Sequence, residues 1–283
     1  LTIDSELQYM LESELQSTVN EFNAADAEGI ILDVQTSEIL AIASLPSFDI
    51  NNPQKYSASH RRNRVVTDVF EPGSTLKTFV LASAIKEKVF TPDSKIFCEY
   101  GQFKVGDKII REAESHEKYA WMTLKQILQV SSNVGTSKIA LKMGDDRLRQ
   151  GLQEFGFSSK LGVDLPGEAK GIVQALPWKP HLLANISFGH GIAATPLQIA
   201  NAYAAVANGG MLNTPYIISE IHHVEKNEKV VNEPKPIRRV LTEAQASQIR
   251  EMLLGVTQDG GTGVNARVNG FQVAGKTGTA QKV

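Results

Sequence analysis

Cysteine is almost missing from this chain, with Cys98 alone among 283 residues. One thiol excludes an internal disulfide and a cysteine-built zinc site, and it fits a reducing or an oxidising compartment equally. Cys98 therefore reads as a packing residue. Net charge is nearly missing as well: a formal value of -2 gives no global attraction to nucleic acid or anionic lipid. No apolar run approaches the roughly 18 to 20 residues of a spanning helix, and Leu1-Thr-Ile-Asp-Ser5 lacks a charged-then-apolar targeting pattern. Internal repeats and low-complexity tracts are absent too. What is present, 42% apolar and 21% charged residues, argues for a packed core over disorder. The abrupt start and the more abrupt end lead to the expectation that the chain is a piece of something larger.

The periodicity predicts an amphipathic helix over residues 5 to 22, capped by Asp4. Gly29 to Val34 and Glu38 to Ser44 are short apolar runs that suit a hairpin buried on both faces or nearly so. Residues 46 to 70 read as polar and irregular, with the basic run Arg61-Arg62-Asn63-Arg64 a solvated loop. Pro72-Gly73 breaks the chain just before a helical stretch, so Ser74 is expected at a helix start. Thr123 to Val130 and Ser137 to Met143 read as helices flanking a loop at Ser131-Ser-Asn-Val-Gly135. Thr195-Pro196 opens a small-residue helix that stops at Asn208-Gly-Gly210, and Thr242-Glu-Ala-Gln245 has the capping-box form. Tyr216 to Val224 and Val268 to Ala274 are expected to be strands. Helices in the middle and strands near both ends predict an α+β fold, one sheet drawn from distant parts of the chain with a helical insertion.

The closing stretch "GFQVAGKTGTAQKV" supports two incompatible readings. Gly270 to Thr277 matches G-x-x-x-x-G-K-T, a phosphate-cradling loop. Such a loop must turn tightly after a strand and enter a helix, yet Phe271, Gln272, Val273 and Ala274 favour the strand itself and Gly278 falls where the helix should propagate. The same letters contain Lys276-Thr277-Gly278, one wall of a serine acyl-transfer site. That chemistry needs a nucleophilic serine three residues before a lysine. Ser-x-x-Lys occurs at Ser74/Lys77, Ser83/Lys86 and Ser115/Lys118. Ser83 points to the opposite helix face from Ser74 at roughly 100° per residue, and Ser115 lies in a charged stretch, Arg111 to Lys118, read as exposed surface. Ser74 alone sits at a helix N-terminus, where free N–H groups favour developing negative charge. A Ser-x-Asn element occurs once, as Ser131-Ser-Asn133, and Lys-Thr-Gly occurs once.

These three elements, in this order, resemble the transpeptidase domain of class B penicillin-binding proteins, cell-division type. The likeness extends to Asn63 through Thr75, Ser187-Phe-Gly-His-Gly191, Thr195-Pro-Leu-Gln198, Asn208-Gly-Gly210 and Gly260 to Lys282. It implies the penicillin-binding transpeptidase and serine β-lactamase-like fold. Residues 1–283 then read as one domain, incomplete at its C-terminus, with a membrane anchor and a non-catalytic domain expected outside this sequence. The implied reaction is peptidoglycan cross-linking on the outer face of a bacterial cytoplasmic membrane, with Ser74 the nucleophile, Lys77 its base, Ser131 a proton relay and Asn133 an orienting group. Lys276, Thr277, Gly278 and Thr279 would bind substrate. β-Lactams, stem peptides and division proteins including a glycosyltransferase are the implied partners. No nucleic acid, metal or cofactor is implied.

Each assignment has a plainer rival. A serine at a helix start is commonly a cap, Asn133 could close a loop, and Lys276 could be surface; the conjunction argues against all three. His190 is read as structural, and His222-His223 on a strand would face opposite ways, against joint metal binding. A D,D-carboxypeptidase, a β-lactamase or a β-lactam sensor would use the same acylation; for a β-lactamase, Glu168 is a poor match to a deacylating carboxylate. A non-catalytic division scaffold would have no need of a nucleophile beside a base.

Overall fold

The computed structural model describes residues 1–279. Helix α1 (Ser5–Phe22) begins where expected, with the Asp4 carboxylate accepting from the N–H groups of Glu6 and Leu7 at 2.9 and 3.0 Å. It lies across a hairpin of β1 (Ala27–Leu32) and β2 (Ile39–Leu45), paired antiparallel with a bulge at Ile31/Leu32. Gly29 makes this packing possible, since a Cβ there would stand 2.6 Å from Leu11 Cδ1. Strand β2 alternates strictly, burying Ile39, Ala41, Ala43 and Leu45, while β1 is half-buried throughout; one face of the hairpin is core and the other partly covered. Helix α2 (Arg64–Thr67) is a single turn burying Val65 and Val66, so the basic run ends inside structure even though Arg61 and Arg62 are exposed.

Helix α3 (Lys77–Lys86) is the centre of the molecule, with every residue from Lys77 to Ile85 buried. Two short ladders follow it, β3 (Lys95–Phe97) with β6 (Trp121–Thr123), and β4 (Gln102–Val105) with β5 (Lys108–Arg111). Helices α4 (Leu124–Gln129), α5 (Asn133–Met143) and α6 (Asp145–Glu154) then pack on or beside α3. A ladder of β7 (Ile172–Val173) and β8 (Ile192–Ala193) brackets α7 (Pro180–Ser187), and α8 (Pro196–Ala207) runs as expected. Strand β9 (Met211–Thr214) pairs with β12 (Lys235–Arg239), and between them β10 (Glu220–His223) pairs with β11 (Glu228–Val231). Helix α9 (Glu243–Val256) completes the layer against α3, α4 and α8. Phe79 anchors the core, its ring 5.0 Å from Phe155, 5.2 Å from Phe157 and 4.9 Å from Tyr203. Burial pushes the Cys98 thiol up to about 11, as suits a packing residue.

The fold is α+β, but three expectations about strands need correction. Among the described residues the strands form six separate two-stranded ladders in place of one sheet; the first hairpin touches later chain through a bridge from Glu38 to Tyr216. Only the second half of Tyr216 to Val224 is strand, because the N–H groups of Ile217 and Ile218 are taken by the Asp164 carboxylate at 2.8 and 2.9 Å. Val268 to Ala274 is not a strand. Its backbone is engaged by α9 and the turn beyond: Val273 carbonyl accepts from Thr257 Oγ1 at 2.6 Å, and Gly275 N–H donates to Leu253 carbonyl at 3.4 Å. An apolar run makes a strand only where a free edge is available to pair with it.

Candidate active site

Chain geometry around Ser74 is set by the glycine before it. Gly73 adopts φ +55°, and its N–H donates to Gly189 carbonyl at 3.2 Å. Gly189, in the turn after α7, lies so close that a Cβ there would stand 2.0 Å from Gly73 oxygen. The approach to the turn is pinned by paired hydrogen bonds between Phe70 and Ala194, both 3.0 Å. Residues Gly73–Leu76 then form a 3₁₀ turn, with Lys77 N–H bonded to Ser74 carbonyl. In such a turn side chains three apart eclipse, which stacks Ser74 and Lys77 on one edge. Ser74 thus stands inside the first turn and is not its cap; its hydroxyl makes no capping bond.

Lys77 is fully buried. Its Nζ donates to Asn133 Oδ1 at 2.7 Å, to Ser131 Oγ at 3.1 Å and to the Ser131 carbonyl. Burial first, and the Lys276 charge second, lower its pKa to about 7, against the opposing pull of Glu112 and Glu117. An amine titrating there is half neutral at physiological pH.

Ser131 reaches Lys77 through an uncommon backbone state. Helix α4 closes with Ser131 and Ser132 N–H groups on the carbonyls of Leu128 and Ile127, at 3.2 and 3.0 Å, and Ser131 itself takes φ +62°. A serine held in the left-handed region is disfavoured and needs surroundings that enforce it. Ser132 caps α5, its Oγ accepting from Gly135 N–H at 2.9 Å. The predicted loop is therefore shorter than expected: Asn133 and Gly135 belong to α5, because Ser132 is a good N-cap. Asn133 Nδ2 donates to Arg111 carbonyl at 3.0 Å, which orients its Oδ1 toward Lys77.

The sequence reading missed Glu112. It lies in the charged stretch taken as exposed, and most of that stretch is exposed, yet Glu112 is only 8% accessible. Its carboxylate accepts from Ser132 Oγ and from Asn133 N–H, each at 2.5 Å. The available signal was weak, a carboxylate two residues past the apolar pair Ile109-Ile110, directly after the short strand Lys108–Arg111. Other readings hold: Ser83 Oγ is spent on Phe79 carbonyl at 2.7 Å, and Ser115 is exposed.

Lys276 to Thr279 reach the Ser74 turn, although not as a strand. A Cβ on Gly73 would stand 2.4 Å from Thr279 oxygen, and one on Gly278 would stand 2.7 Å from Thr75 Cγ2. Gly73 therefore permits backbone-to-backbone contact with Thr279, while Gly278 leaves room for the Thr75 methyl. Thr277 Oγ1 meets Thr262 Oγ1 at 2.7 Å, and Lys276 Nζ donates to Thr277 carbonyl at 2.9 Å. Burial pulls the Lys276 pKa down to about 8. No helix follows Gly275-Lys276 among the described residues, against the phosphate-loop reading. The Ala280-Gln-Lys end of the resemblance lies outside the described residues.

Of the secondary readings, His190 stands 4.0 Å from Glu71, whose other oxygen accepts from Gly191 N–H at 2.7 Å, a turn-stabilising arrangement. His222 and His223 are both exposed, with His222 Nε2 2.7 Å from Glu220 Oε1. Glu168 accepts from the N–H groups of Leu161 and Gly162 at 2.5 and 3.1 Å.

Comparison with known proteins gives a consistent answer. The model of the penicillin binding protein transpeptidase domain matches residues 29–283. The chain is 34% identical to the probable peptidoglycan D,D-transpeptidase PenA of Neisseria gonorrhoeae, over all of the chain and 46% of that protein. It is 35% identical to the peptidoglycan D,D-transpeptidase FtsI of Escherichia coli K12, again over the whole chain and 46% of the relative. Stage V sporulation protein D of Bacillus subtilis is 36% identical, covered over 44% of its length. The chain thus spans about half the length of these curated relatives. Among solved structures, penicillin binding protein 3 of Mycobacterium tuberculosis in complex with aztreonam superposes with a TM-score of 0.89 at 32% identity, over 100% of this chain and 64% of that one. The transpeptidase domain of Burkholderia pseudomallei penicillin-binding protein 3 gives 0.85 at 31%, over 100% and 78%. With a family model over nine-tenths of its length and this agreement in fold, the chain belongs to the penicillin-binding protein transpeptidase domains.

Proposed function

We propose that the protein is a peptidoglycan D,D-transpeptidase working through an acyl-enzyme on Ser74. The observation that carries this reading is a fully buried lysine, one 3₁₀ step from a serine, with its amine held between Ser131 Oγ and Asn133 Oδ1. Neutral Lys77 takes the Ser74 proton as Oγ attacks the carbonyl between the two terminal D-alanines of a stem peptide. The tetrahedral oxyanion is held by the N–H groups of Ser74 and Thr279. As the C–N bond breaks, the proton passes from Lys77 through Ser131 to the departing D-alanine amine. An amine of a neighbouring stem then attacks the ester carbonyl; the ester C–O bond breaks as the new amide forms, and the amine's proton passes through Ser131 and Lys77 to Ser74 Oγ. Lys276, Thr277 and Thr279 receive the substrate's terminal carboxylate, and Gly278 leaves room for its backbone.

β-Lactams acylate Ser74 because their amide occupies the place of the D-alanyl bond. The site belongs on the outer face of the cytoplasmic membrane, where this polymer is built, with septal division proteins and a glycosyltransferase as partners. A β-lactamase role fits less well, since both oxygens of Glu168 accept from backbone N–H groups, those of Leu161 and Gly162. Intact-mass analysis after incubation with a penicillin tests the reading. A persistent adduct on Ser74, lost in Ser74→Ala, is expected; rapid gain and loss of the adduct would indicate a β-lactamase, and labelling that survives Ser74→Ala would overturn the assignment.

A further inference from the structure

The buried carboxylate of Glu112 has no part in the proton transfers above, yet it touches two consecutive residues of the element that delivers Ser131 and Asn133. Ser132 Oγ–H and Asn133 N–H both donate to it, one to each oxygen, at 2.5 Å. Its own N–H is tied to Gly101 carbonyl at 3.2 Å, so the clamp is fixed from the β4–β5 side. Around it stand Lys77, Glu117, Tyr119 and Cys98, and burial holds its carboxyl above the usual range while the Ser132 and Asn133 bonds pull the other way.

Consecutive donors that converge on one carboxylate fix the rotation of the peptide between them. With Ser132 and Asn133 turned toward Glu112, Ser131 is left in the left-handed region, and its carbonyl and hydroxyl face Lys77 Nζ on the other side. The same fork satisfies an orphan N–H at the start of α5, where a negative charge is favoured. We propose that Glu112 is a positioning residue for acyl transfer, clamping Ser132 and Asn133 so that the Ser131 hydroxyl and the Asn133 amide converge on Lys77. This rests on the acyl-enzyme reading above, and adds a residue from outside its three sequence elements.

The test separates rate from folding. Acylation by a fluorescent penicillin is followed by stopped flow in the unsubstituted protein, Glu112→Ala and Glu112→Gln, to give the noncovalent binding constant, the acylation rate constant and the labelled fraction. Glutamine keeps the clamp, its Oε1 accepting from Asn133 N–H and its Nε2 donating to Ser132 Oγ. Glu112→Ala is expected to lower the acylation rate constant about 100-fold, the scale of a misplaced catalytic group, with the binding constant little changed; Glu112→Gln should recover most of the rate. A merely structural role would lower the labelled fraction and leave the rate constant of the remaining molecules intact, which would overturn the proposal. So would parental rates in Glu112→Ala, or equal losses in both variants. If the unsubstituted protein takes no label on Ser74, the acyl-enzyme reading falls and this inference with it, whereas parental labelling with an indifferent Glu112 removes this inference alone.

Discussion

A lysine without solvent access carries two consequences, one for rate and one for stability. Lys77→Ala is expected to lower penicillin acylation by roughly 10²- to 10⁴-fold, the usual worth of a positioned general base, as read by label incorporation at fixed time. Stability follows from the proton count. Between about 7 in the fold and its ordinary 10.5 in the unfolded chain, the unfolded state binds the extra proton, so this residue's penalty is full below pH 7 and is relieved as pH rises. Unfolding free energies from urea titrations between pH 7 and 9.5 should climb relative to those of Lys77→Met, with a slope approaching ~1.4 kcal/mol per pH unit. Lys276 acts on the same proton by its charge. Acylation should rise through pH 7 as Lys77 becomes neutral and decline above about 8 as Lys276 loses its charge. In Lys276→Ala the rising limb moves to higher pH, the falling limb disappears, and affinity for carboxylate-bearing ligands weakens; a pH–rate profile unchanged from the parent would exclude this coupling. The grouping of Lys77 with Ser131 and Asn133 was legible from setting more than from spacing: Ser-x-x-Lys occurs three times, and only the helix start singled out Ser74, whereas Ser-x-Asn occurs once. Glu112 was not legible, since nothing in a run of charged letters distinguishes the one carboxylate that a strand end turns inward.

Helix starts were the most readable elements, and local chemistry explains why. Thr242 with Gln245 forms a complete capping box, as do Thr123 with Gln126 and Thr195 with Gln198, each satisfying donors within four residues. Such signals need no distant partner. The junction between α4 and α5 was read less well, because Ser131 in the left-handed region is imposed by Glu112 and Lys77, which arrive from elsewhere. The turn that carries Ser74 is equally non-local. Gly189→Ala would place a methyl 2.0 Å from the Gly73 carbonyl, at a position with φ +87°. That variant should lose acylation and at least ~1 kcal/mol of stability, while Thr123→Ala, which removes only a cap, should cost about 1 kcal/mol with the acylation rate constant unchanged. Thermal melts and label kinetics on the two proteins distinguish these outcomes.

At the scale of the whole molecule, the α+β class followed from where helical and alternating periodicities fall along the chain. Strand pairing did not follow. The run from Val268 to Ala274 has strand composition, but its partners are a carbonyl and a hydroxyl near the end of α9, and no periodicity announces a helix end as a docking site. Among the described residues that docking is thin. Between Val273 and Thr279 the described hydrogen bonds to the rest of the protein are those of Val273, Gly275 and Thr277, and the last of these is to another exposed loop at Thr262. A strip held so lightly opens at lower free energy than the helices beneath it. In rising urea, penicillin labelling should therefore vanish before the circular dichroism of the helices changes, and the gap between the two curves measures the attachment of this one strip. Drug capture would then report whether the last wall of the cleft is in place, a local latch whose release leaves an intact and inert protein behind.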